Sequence, residues 1–292
     1  MLAIGKRGLW TAALLAAALC LLAPQASEAK ISCRYNAGQM ALSVTATGFD
    51  EAGIRRFGEE ILVSPFLEPP IMCKGGRPTV TNTDRVDLIV RGEGSAWIEL
   101  EGGPFAPGAT AEPDGFSEVE FTVRGSGFVD FEGGPGRDHF RFMGSGPESG
   151  VNLNADQDDD LDLITPSKPS LALLVVIEGG PGADLIDAQD RPGLEIFAVG
   201  GKGNDTLVAP ASGSAILQGG KGRDRLVGGR GWDLLDPGPG ADVVKARSGS
   251  DLVDMRPDRR RDRIFCGGGR DLVGKHDDRD RMISCERVEG GS

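Results

Sequence analysis

Large side chains are scarce in this sequence. Aromatic residues make up only 5% of the 292 residues, whereas glycine occurs 45 times. Such a chain has too few bulky groups and too many flexible backbone positions for an ordinary packed globule of this length. The composition therefore favours a repeat architecture, in which each short unit buries its apolar side against its neighbours.

The residue patterns of common active sites are also missing. Histidine occurs only twice, as His139 and His276. The sequence contains no HExxH zinc motif and, despite its glycine content, no GxxxxGK[ST] phosphate loop. No arrangement of serine, histidine and aspartate suggests a catalytic triad either. We therefore predict that the protein is not an enzyme.

Long hydrophobic runs are limited to one segment near the start of the chain. Lys6 and Arg7 precede an apolar run over residues 8–23, and Ser27 and Ala29 follow it. This is the plan of a signal peptide that is cut after Ala29. No other run approaches the roughly 20 residues of a membrane-spanning helix. We predict a signal peptide over residues 1–29 and a secreted, extracellular product without a membrane span.

Basic residues are outnumbered by acidic ones. The chain has 32 lysines and arginines against 44 aspartates and glutamates, which gives a net charge of −12. An acidic surface repels the phosphate backbone of nucleic acids and attracts divalent cations. We therefore expect no nucleic-acid partner, and a metal cation is the better candidate.

Four cysteines follow the predicted signal peptide: Cys33, Cys73, Cys266 and Cys285. Four cysteines can pair in three ways. In an oxidising compartment we expect the local pairs Cys33–Cys73 and Cys266–Cys285. Metal ligation is the alternative, but the spacings lack any CxxC motif.

A unit of nine residues repeats through the C-terminal half. Four units run without a break over residues 219–254, and three more follow the two-residue insertion Met255–Arg256. Three single units lie upstream, at residues 133–141, 179–187 and 200–208. The sixth position of every unit is aspartate, in order Asp138, Asp184, Asp205, Asp224, Asp233, Asp242, Asp251, Asp262, Asp271 and Asp280.

This unit has the composition of a calcium-binding turn. Glycines at positions one, two and four allow backbone conformations with φ > 0 that turn carbonyl oxygens toward a common centre. The aspartate adds a carboxylate, and the apolar eighth residue begins a short strand with its side chain inward. Ca²⁺ takes six to eight oxygen ligands, which is more than one turn can supply, so consecutive coils must share each ion.

Two units make one coil of 18 residues, so aspartates 18 residues apart should lie about 4.8 Å apart along the axis. The expected vertical pairs are Asp224 with Asp242, Asp233 with Asp251, and Asp262 with Asp280. We expect the insertion Met255–Arg256 to disturb two further pairs, Asp242 with Asp262 and Asp251 with Asp271.

The pattern GGxGxDx-apolar-x resembles the hemolysin-type calcium-binding repeat of the RTX proteins, over about residues 133–283. The resemblance implies a parallel β-roll in which several Ca²⁺ ions are held by the sixth-position aspartates and by the carbonyls of the glycine turns. The units at residues 257–265 and 275–283 lack all three glycines and are expected to bind weakly or not at all. The complete units supply these ligand glycines: Gly200, Gly201, Gly203, Gly219, Gly220, Gly222, Gly228, Gly229 and Gly231.

The N-terminal half contains a second internal repeat. Residues 86–104 and 119–135 both read as strand, glycine turn, strand and Glu-Gly-Gly-Pro. We predict an all-β fold, a parallel β-roll or solenoid of stacked nonapeptide turns whose N-terminal coils are degenerate. Residues 30–130 would form these degenerate coils or a separate small β domain, and residues 131–292 would form the calcium-binding roll, capped by Cys266–Cys285.

Two functions fit this reading. The first is a secreted calcium-binding protein that folds on calcium outside the cytosol and has a structural or adhesive role, with an extracellular glycan or cell surface as a possible partner. The second is a secreted hydrolase or toxin with its activity in residues 30–130 and the repeats as a folding and secretion module.

Overall fold

The computed structural model describes residues 30–48, 51–65, 68–92, 94–99, 120–125, 128–143, 150–152, 162–166 and 174–288. The predicted signal peptide lies outside these residues. Within them all regular secondary structure is β-strand, which confirms the predicted all-β class. In this part of the chain no helix has the length and apolar character needed to cross a membrane.

The strands follow one another in short succession along the chain. They are β1 (Lys30–Asn36), β2 (Ala41–Gly48), β3 (Glu51–Phe57), β4 (Glu60–Pro65), β5 (Arg85–Gly92), β6 (Ser95–Glu99), β7 (Glu120–Gly125), β8 (Phe128–Glu132), β9 (His139–Met143), β10 (Gly150–Asn152), β11 (Asp162–Pro166), β12 (Leu174–Pro181), β13 (Leu185–Asp187), β14 (Ile196–Gly203), β15 (Thr206–Val208), β16 (Ala215–Gly222), β17 (Arg225–Val227), β18 (Asp233–Asp236), β19 (Val243–Lys245), β20 (Ser248–Gly249), β21 (Leu252–Val253), β22 (Arg263–Phe265), β23 (Gly268–Gly269), β24 (Leu272–Val273), β25 (Arg281–Ile283) and β26 (Arg287–Val288).

These strands form two long sheets and one short one. Sheet 1 has the order β1-β2-β5-β7-β11-β10-β9-β13-β15-β17-β19-β22-β25, and sheet 2 has the order β26-β24-β21-β18-β16-β14-β12-β8-β6-β3-β4. The short sheet pairs β20 with β23. Neighbouring strands of the repeats are parallel because the chain winds from one sheet to the other and returns one coil further along. The predicted parallel β-roll is confirmed.

The length of a coil decreases toward the C-terminal half. In sheet 1, Ala41 pairs with Arg85 and Arg85 pairs with Glu120, so these coils take 44 and 35 residues. Further along, Thr206 pairs with Arg225 and Arg225 pairs with Val243, so the coils take 19 and then 18 residues. The shortest coils are those with consecutive nonapeptide units.

The core runs between the two sheets. The eighth-position residues Leu226, Leu235, Val244, Val253, Ile264 and Val273 are all fully buried, as the alternation of a strand predicts. Burying one such side chain contributes about 1.5–3 kcal/mol. Strands of two to four residues offer few of these side chains, so apolar burial per coil is small.

The N-terminal half shares both sheets with the repeats. The two similar stretches of sequence stack on each other in register, since β5 pairs with β7 and β6 pairs with β8. β7 then pairs with β11 and β8 pairs with β12, so hydrogen bonding passes from these coils into the repeat region. At the N-terminal end the antiparallel pairs β1–β2 and β3–β4 close the two sheets.

Both predicted disulfides are present. Cys33 is bonded to Cys73 with the Cα atoms 4.7 Å apart, and Cys266 is bonded to Cys285 with the Cα atoms 5.1 Å apart. Cys266 follows β22 and Cys285 follows β25, which are neighbours in sheet 1. The second bridge therefore ties two of the last coils together, at an end of the sheet that would otherwise fray.

Replacing Cys266 and Cys285 together with serine is expected to destabilise the C-terminal coils. In the chain-entropy model, opening a loop with a sequence separation of 19 residues removes about 3 kcal/mol of stability. The shift of the urea midpoint against the unchanged protein measures this loss. A midpoint that does not move would show that stacking alone holds these coils.

Candidate metal centre

The sixth-position aspartates form the polar interior of the turns. Those from Asp184 to Asp271 are at most 2% exposed. A carboxylate removed from water costs several kcal/mol unless hydrogen bonds or a cation compensate it. Whether hydrogen bonds or a cation compensate each buried carboxylate therefore determines whether the turn is a metal site.

Most of these aspartates are hydrogen bonded to the coil before them. Their Oδ1 atoms accept a hydrogen bond from the backbone N–H of the aspartate one coil earlier, whereas Asp233 Oδ1 accepts from the N–H of Ala215 at 2.9 Å. The side chains thus form two ladders along the roll. Ladder 1 contains Asp138, Asp184, Asp205, Asp224, Asp242, Asp262 and Asp280, with N···O distances of 2.8 to 3.0 Å. Ladder 2 contains Asp233, Asp251 and Asp271, with N···O distances of 3.0 and 2.9 Å.

The predicted vertical pairs lie on these ladders, but the expected effect of the insertion is wrong. The N–H of Asp242 donates to Asp262 at 2.8 Å and that of Asp251 donates to Asp271 at 2.9 Å. These N···O distances are similar to those of the pairs without an insertion between them. The reason is that the two extra residues lie between β21 and β22, outside the strands. Met255 places its side chain in the core there, with 2% exposure.

The second carboxylate oxygen has no hydrogen-bond partner in most of the turns. Among the residues that the structure describes, no partner contacts the buried Oδ2 atoms of Asp184, Asp205, Asp224, Asp242, Asp251 and Asp271 through a hydrogen bond. A buried acceptor without a donor costs about 1–3 kcal/mol, and more when it is charged. Six such atoms in two rows are therefore a strong indication of a bound cation.

The unpaired oxygens of Asp184, Asp205 and Asp224 each share a small space with a carbonyl oxygen of the next coil. A Cβ atom placed on Gly200 would lie 2.6 Å from Asp205 Oδ2 and 2.6 Å from the Gly219 carbonyl oxygen. A Cβ on Gly219 would likewise meet Asp224 Oδ2 at 2.8 Å and the Pro237 carbonyl oxygen at 2.6 Å. Carboxylate and carbonyl oxygens are the ligands that Ca²⁺ prefers, so the first glycine of these turns leaves room for an ion between them.

The predicted glycines serve these turns in two ways. At the second and fourth positions of two units φ is positive, between 100° and 152°: Gly201, Gly203, Gly220 and Gly222. The expectation of positive φ is wrong for the first position of each complete unit and for all three glycines of the third complete unit. Glycine is needed there because a side chain would collide with oxygen atoms of neighbouring residues: Gly200, Gly219, Gly228, Gly229 and Gly231.

Most of the oxygen atoms that could bind an ion in these turns belong to the backbone. Among the described residues no group of three or more histidine, cysteine, aspartate and glutamate side chains could hold a metal. An ion in these turns would take one carboxylate from each of two coils, such as Asp224 and Asp242, and the remaining oxygens from turn carbonyls. Such a site suits the six to eight oxygens of Ca²⁺ and not the all-side-chain tetrahedral geometry of Zn²⁺.

Burial raises the pKa of these carboxyls. Desolvation, together with the charges of neighbouring ladder members, raises the pKa of Asp184 to about 7, that of Asp242 to about 8 and that of Asp251 to about 7. The bond from the backbone N–H lowers the pKa at each of them but does not cancel the desolvation. Without a cation these carboxyls therefore tend to be protonated near neutral pH.

Acidification is expected to stabilise the calcium-free roll. The folded-state pKa values of Asp242, Asp251 and Asp224, about 8, about 7 and about 6, exceed the ordinary value of 3.8. The folded state thus binds more protons than the unfolded state between these values, and stability falls as the pH rises through this window. In excess chelator the β-sheet signal in circular dichroism should therefore be stronger near pH 5 than near pH 8. Equal signals would show that these carboxyls do not gain protons on folding.

The turns without glycine satisfy their backbone in another way. Asp258 Oδ2 accepts from the N–H of Gly240 at 2.8 Å, and Asp277 Oδ2 accepts from the N–H of Arg259 at 2.7 Å. The guanidinium of Arg279 donates to the Arg259 carbonyl at 2.6 Å. Aspartate and arginine side chains thus bond to the backbone of these turns, and weak calcium binding there stays a prediction.

In three members of the ladders the Oδ2 atom accepts a hydrogen bond, and the first is Asp138, which accepts from the N–H of Gly134 at 3.0 Å. Asp233 Oδ2 accepts from the N–H of Gly229 at 2.6 Å, and Asp280 Oδ2 accepts from the N–H of Asp277 at 3.0 Å. The last rung of ladder 2 is Glu286, whose Oε2 accepts from the N–H of Asp271 at 3.2 Å. Asp258 and Asp277 lie outside the sixth position of glycine-free units, and Glu286 follows the last unit, so only their acidic character could have indicated them.

Comparison with known proteins agrees with this geometry. Residues 211–253 match the family model of the RTX calcium-binding nonapeptide repeat in four copies. No curated protein and no solved structure matches the chain. The matched segment holds Asp224 and Asp242 of ladder 1 and Asp233 and Asp251 of ladder 2. The chain therefore carries RTX calcium-binding nonapeptide repeats, wound as a parallel β-roll.

Proposed function

We propose that this calcium-binding protein is exported, folds as its roll binds Ca²⁺ outside the cytosol, and acts as a non-enzymatic structural or adhesive scaffold. The observation that carries the proposal is the two rows of buried, unpaired Oδ2 atoms. Without a cation these carboxylates repel one another, and coils with strands as short as Leu252–Val253 bury little apolar surface to offset the entropy of ordering. Ca²⁺ supplies the missing stabilisation.

The calcium level of the surroundings would then decide where the protein folds. Extracellular modules often bind Ca²⁺ with Kd values of roughly 10⁻⁴ to 10⁻³ M. Such sites stay empty in a calcium-poor cytosol, where a flexible chain is easier to export, and fill after export. The two disulfides support this view because they are typical of an oxidising compartment.

Export and calcium binding can be tested on one preparation. The full-length chain is expressed in a bacterial host, and the product outside the cytosol is sequenced from its N-terminus and dialysed against radioactive Ca²⁺. We expect a product that begins at Lys30 and binds several ions per chain, with Mg²⁺ unable to displace them. Retention of the leader in the cytosol would reject the export step, and absence of bound Ca²⁺ would reject the calcium step.

A secreted hydrolase is the second candidate function, and one group of carboxyls favours it. Asp130 is on β8, and its Oδ1 atom is buried with no hydrogen-bond partner in the described part of the chain. Burial, followed by the charges of Glu178, Glu132 and Glu51, raises the pKa of Asp130 to about 7. Trp97 lies beside it on β6, with its ring against Gly53. A protonated acid near carboxylates and an aromatic ring is an arrangement found in glycoside hydrolysis.

The hydrolase candidate makes a separate prediction. Release of reducing sugar from a panel of polysaccharides should be detectable with the calcium-loaded protein and should be lost in the Asp130→Asn variant. If the unchanged protein releases no sugar from any member of the panel, or if the variant is as active, this candidate is rejected and the scaffold function stands alone.

A further inference from the structure

Sheet 1 carries a basic surface on its outer side, in a chain with a net charge of −12. Five exposed cationic side chains lie there, and we refer to them as the cationic face: Arg225, Lys245, Arg247, Arg263 and Arg281. The first four, with Val243 and Phe265 between them, line an open groove of about 490 Å³. The cationic face is thus a basic surface on an acidic protein.

The register of the strands places these cations in a row. Arg225 pairs with Val243, Val243 with Arg263 and Arg263 with Arg281, so all four share one column of side chains along the roll. Neighbouring strands are about 4.8 Å apart. Arg225 and Arg263 are therefore about 10 Å apart along the axis, with Lys245 in the adjacent column between their strands.

The charges of this row are not neutralised within the described part of the chain. None of the five side chains forms an ion pair there, although other arginines do, such as Arg256 with Asp236 at 3.5 Å. Arg247 donates a hydrogen bond to the neutral side chain of Gln189 at 2.9 Å. Like charges on adjacent strands destabilise a sheet, so the row carries a cost that an anionic partner would remove.

The form of the surface indicates which anion it suits. The groove is open and continues from strand to strand, which fits a linear polymer and not a small molecule enclosed in a pocket. Single-stranded nucleic acids need exposed aromatic rings on which bases stack. Phe265 is the one ring in this groove, and it is half-buried with the Arg263 guanidinium 5.6 Å from its centroid.

We propose that the cationic face binds an acidic polysaccharide, a chain of sugars that bear carboxylate or sulfate groups. Arg225, Arg263 and Arg281 pair with successive anionic groups, Lys245 contacts the same chain from the adjacent column, and Arg247 contacts it from the turn after β19. The proposal rests on the proposed function, because it names the partner of the scaffold and because the row exists only when the coils are stacked. Ca²⁺ in ladder 1 would also offset the carboxylates of Asp224 and Asp262, which immediately precede Arg225 and Arg263 in the sequence.

The test compares two triple variants of equal charge in saturating Ca²⁺. One is Arg225→Gln, Arg263→Gln and Arg281→Gln on the cationic face. The control is Arg230→Gln, Arg270→Gln and Arg287→Gln, at exposed positions away from it. The probes are fluorescent oligomers of heparin and of polygalacturonate, with neutral dextran and an oligothymidylate of matched charge. Circular dichroism and calcium binding, measured on the same samples, separate loss of the face from loss of the fold.

We expect the unchanged protein to bind at least one acidic oligosaccharide and not dextran, and the face variant to bind about ten- to a hundredfold more weakly. The control variant should differ by less than about threefold. Equal losses in both variants, no binding to either acidic probe by the folded protein, or equally tight binding of the oligothymidylate would each overturn the proposal. If the protein binds the polysaccharide but no Ca²⁺, the proposed function is rejected and the proposed polysaccharide site is not.

Discussion

Replacing Gly222 with alanine is expected to destabilise the roll by at least about 3 kcal/mol, even in saturating Ca²⁺. Gly222 has φ of +152°, a conformation that L side chains rarely adopt. Its Cβ atom would also overlap the carbonyl oxygen of Gly203 in the preceding coil. That oxygen is backbone and cannot rotate away, so the two coils would have to separate.

A matched glycine in the same roll supplies the control. Gly268 lies in the short strand β23, its φ is not in the left-handed region, and a Cβ atom there would have no atom within 4 Å. Gly268→Ala should therefore change the urea midpoint by less than the equivalent of about 0.5 kcal/mol. Comparable losses in the two variants would contradict the close stacking of the coils through their glycine turns.

The second large effect is expected from Asp224→Asn, and its sign depends on calcium. Asparagine keeps the Oδ1 acceptor for the N–H of Asp205, which the carboxylate binds at 2.8 Å. It removes the negative charge at the unpaired Oδ2 atom, where burial raises the pKa of Asp224 to about 6. The calcium-free variant should therefore be at least as stable as the unchanged protein.

In the presence of Ca²⁺ the same variant should lose most of the calcium-induced stabilisation of its coils. At a free concentration about 100 times Kd, one site contributes about 2.7 kcal/mol. The exposed Asp278 in the last glycine-free unit supplies a control, because Asp278→Asn should change neither stability nor the number of bound ions. Thermal unfolding with chelator and with Ca²⁺ measures all four stabilities. An equal loss with and without calcium would mean that the Asp224 carboxylate is purely structural.

The repeat region could be predicted from the sequence almost residue by residue. The aspartates and the apolar eighth residues recur every nine residues, so they return to the same positions in each coil. This periodicity determines which side chains stack on one another. The buried residues Leu226 and Val244 and the bond between Asp224 and Asp242 follow directly from that periodicity. The two disulfides could also be predicted, because each cysteine lies near its partner along the chain.

Other features could not be read from the period. The coils of 44 and 35 residues at the N-terminal end have no fixed length, and their pairing depends on contacts distant in sequence. The strands β9, β10 and β11 form an antiparallel meander between parallel stretches of sheet 1. Asp258 and Asp277 lie outside the sixth position, so their hydrogen bonds to the preceding coil appear only when the coils are stacked.

The central claim is that Ca²⁺ stabilises the roll through the buried carboxylates of its two ladders. Circular dichroism of residues 30–292, with both disulfides intact, tests it most directly as Ca²⁺ is titrated from excess chelator to about 10 mM, with Mg²⁺ as the control. We expect a cooperative gain of β-sheet signal with Ca²⁺ alone. A protein that is fully folded in chelator and indifferent to both ions would contradict the claim.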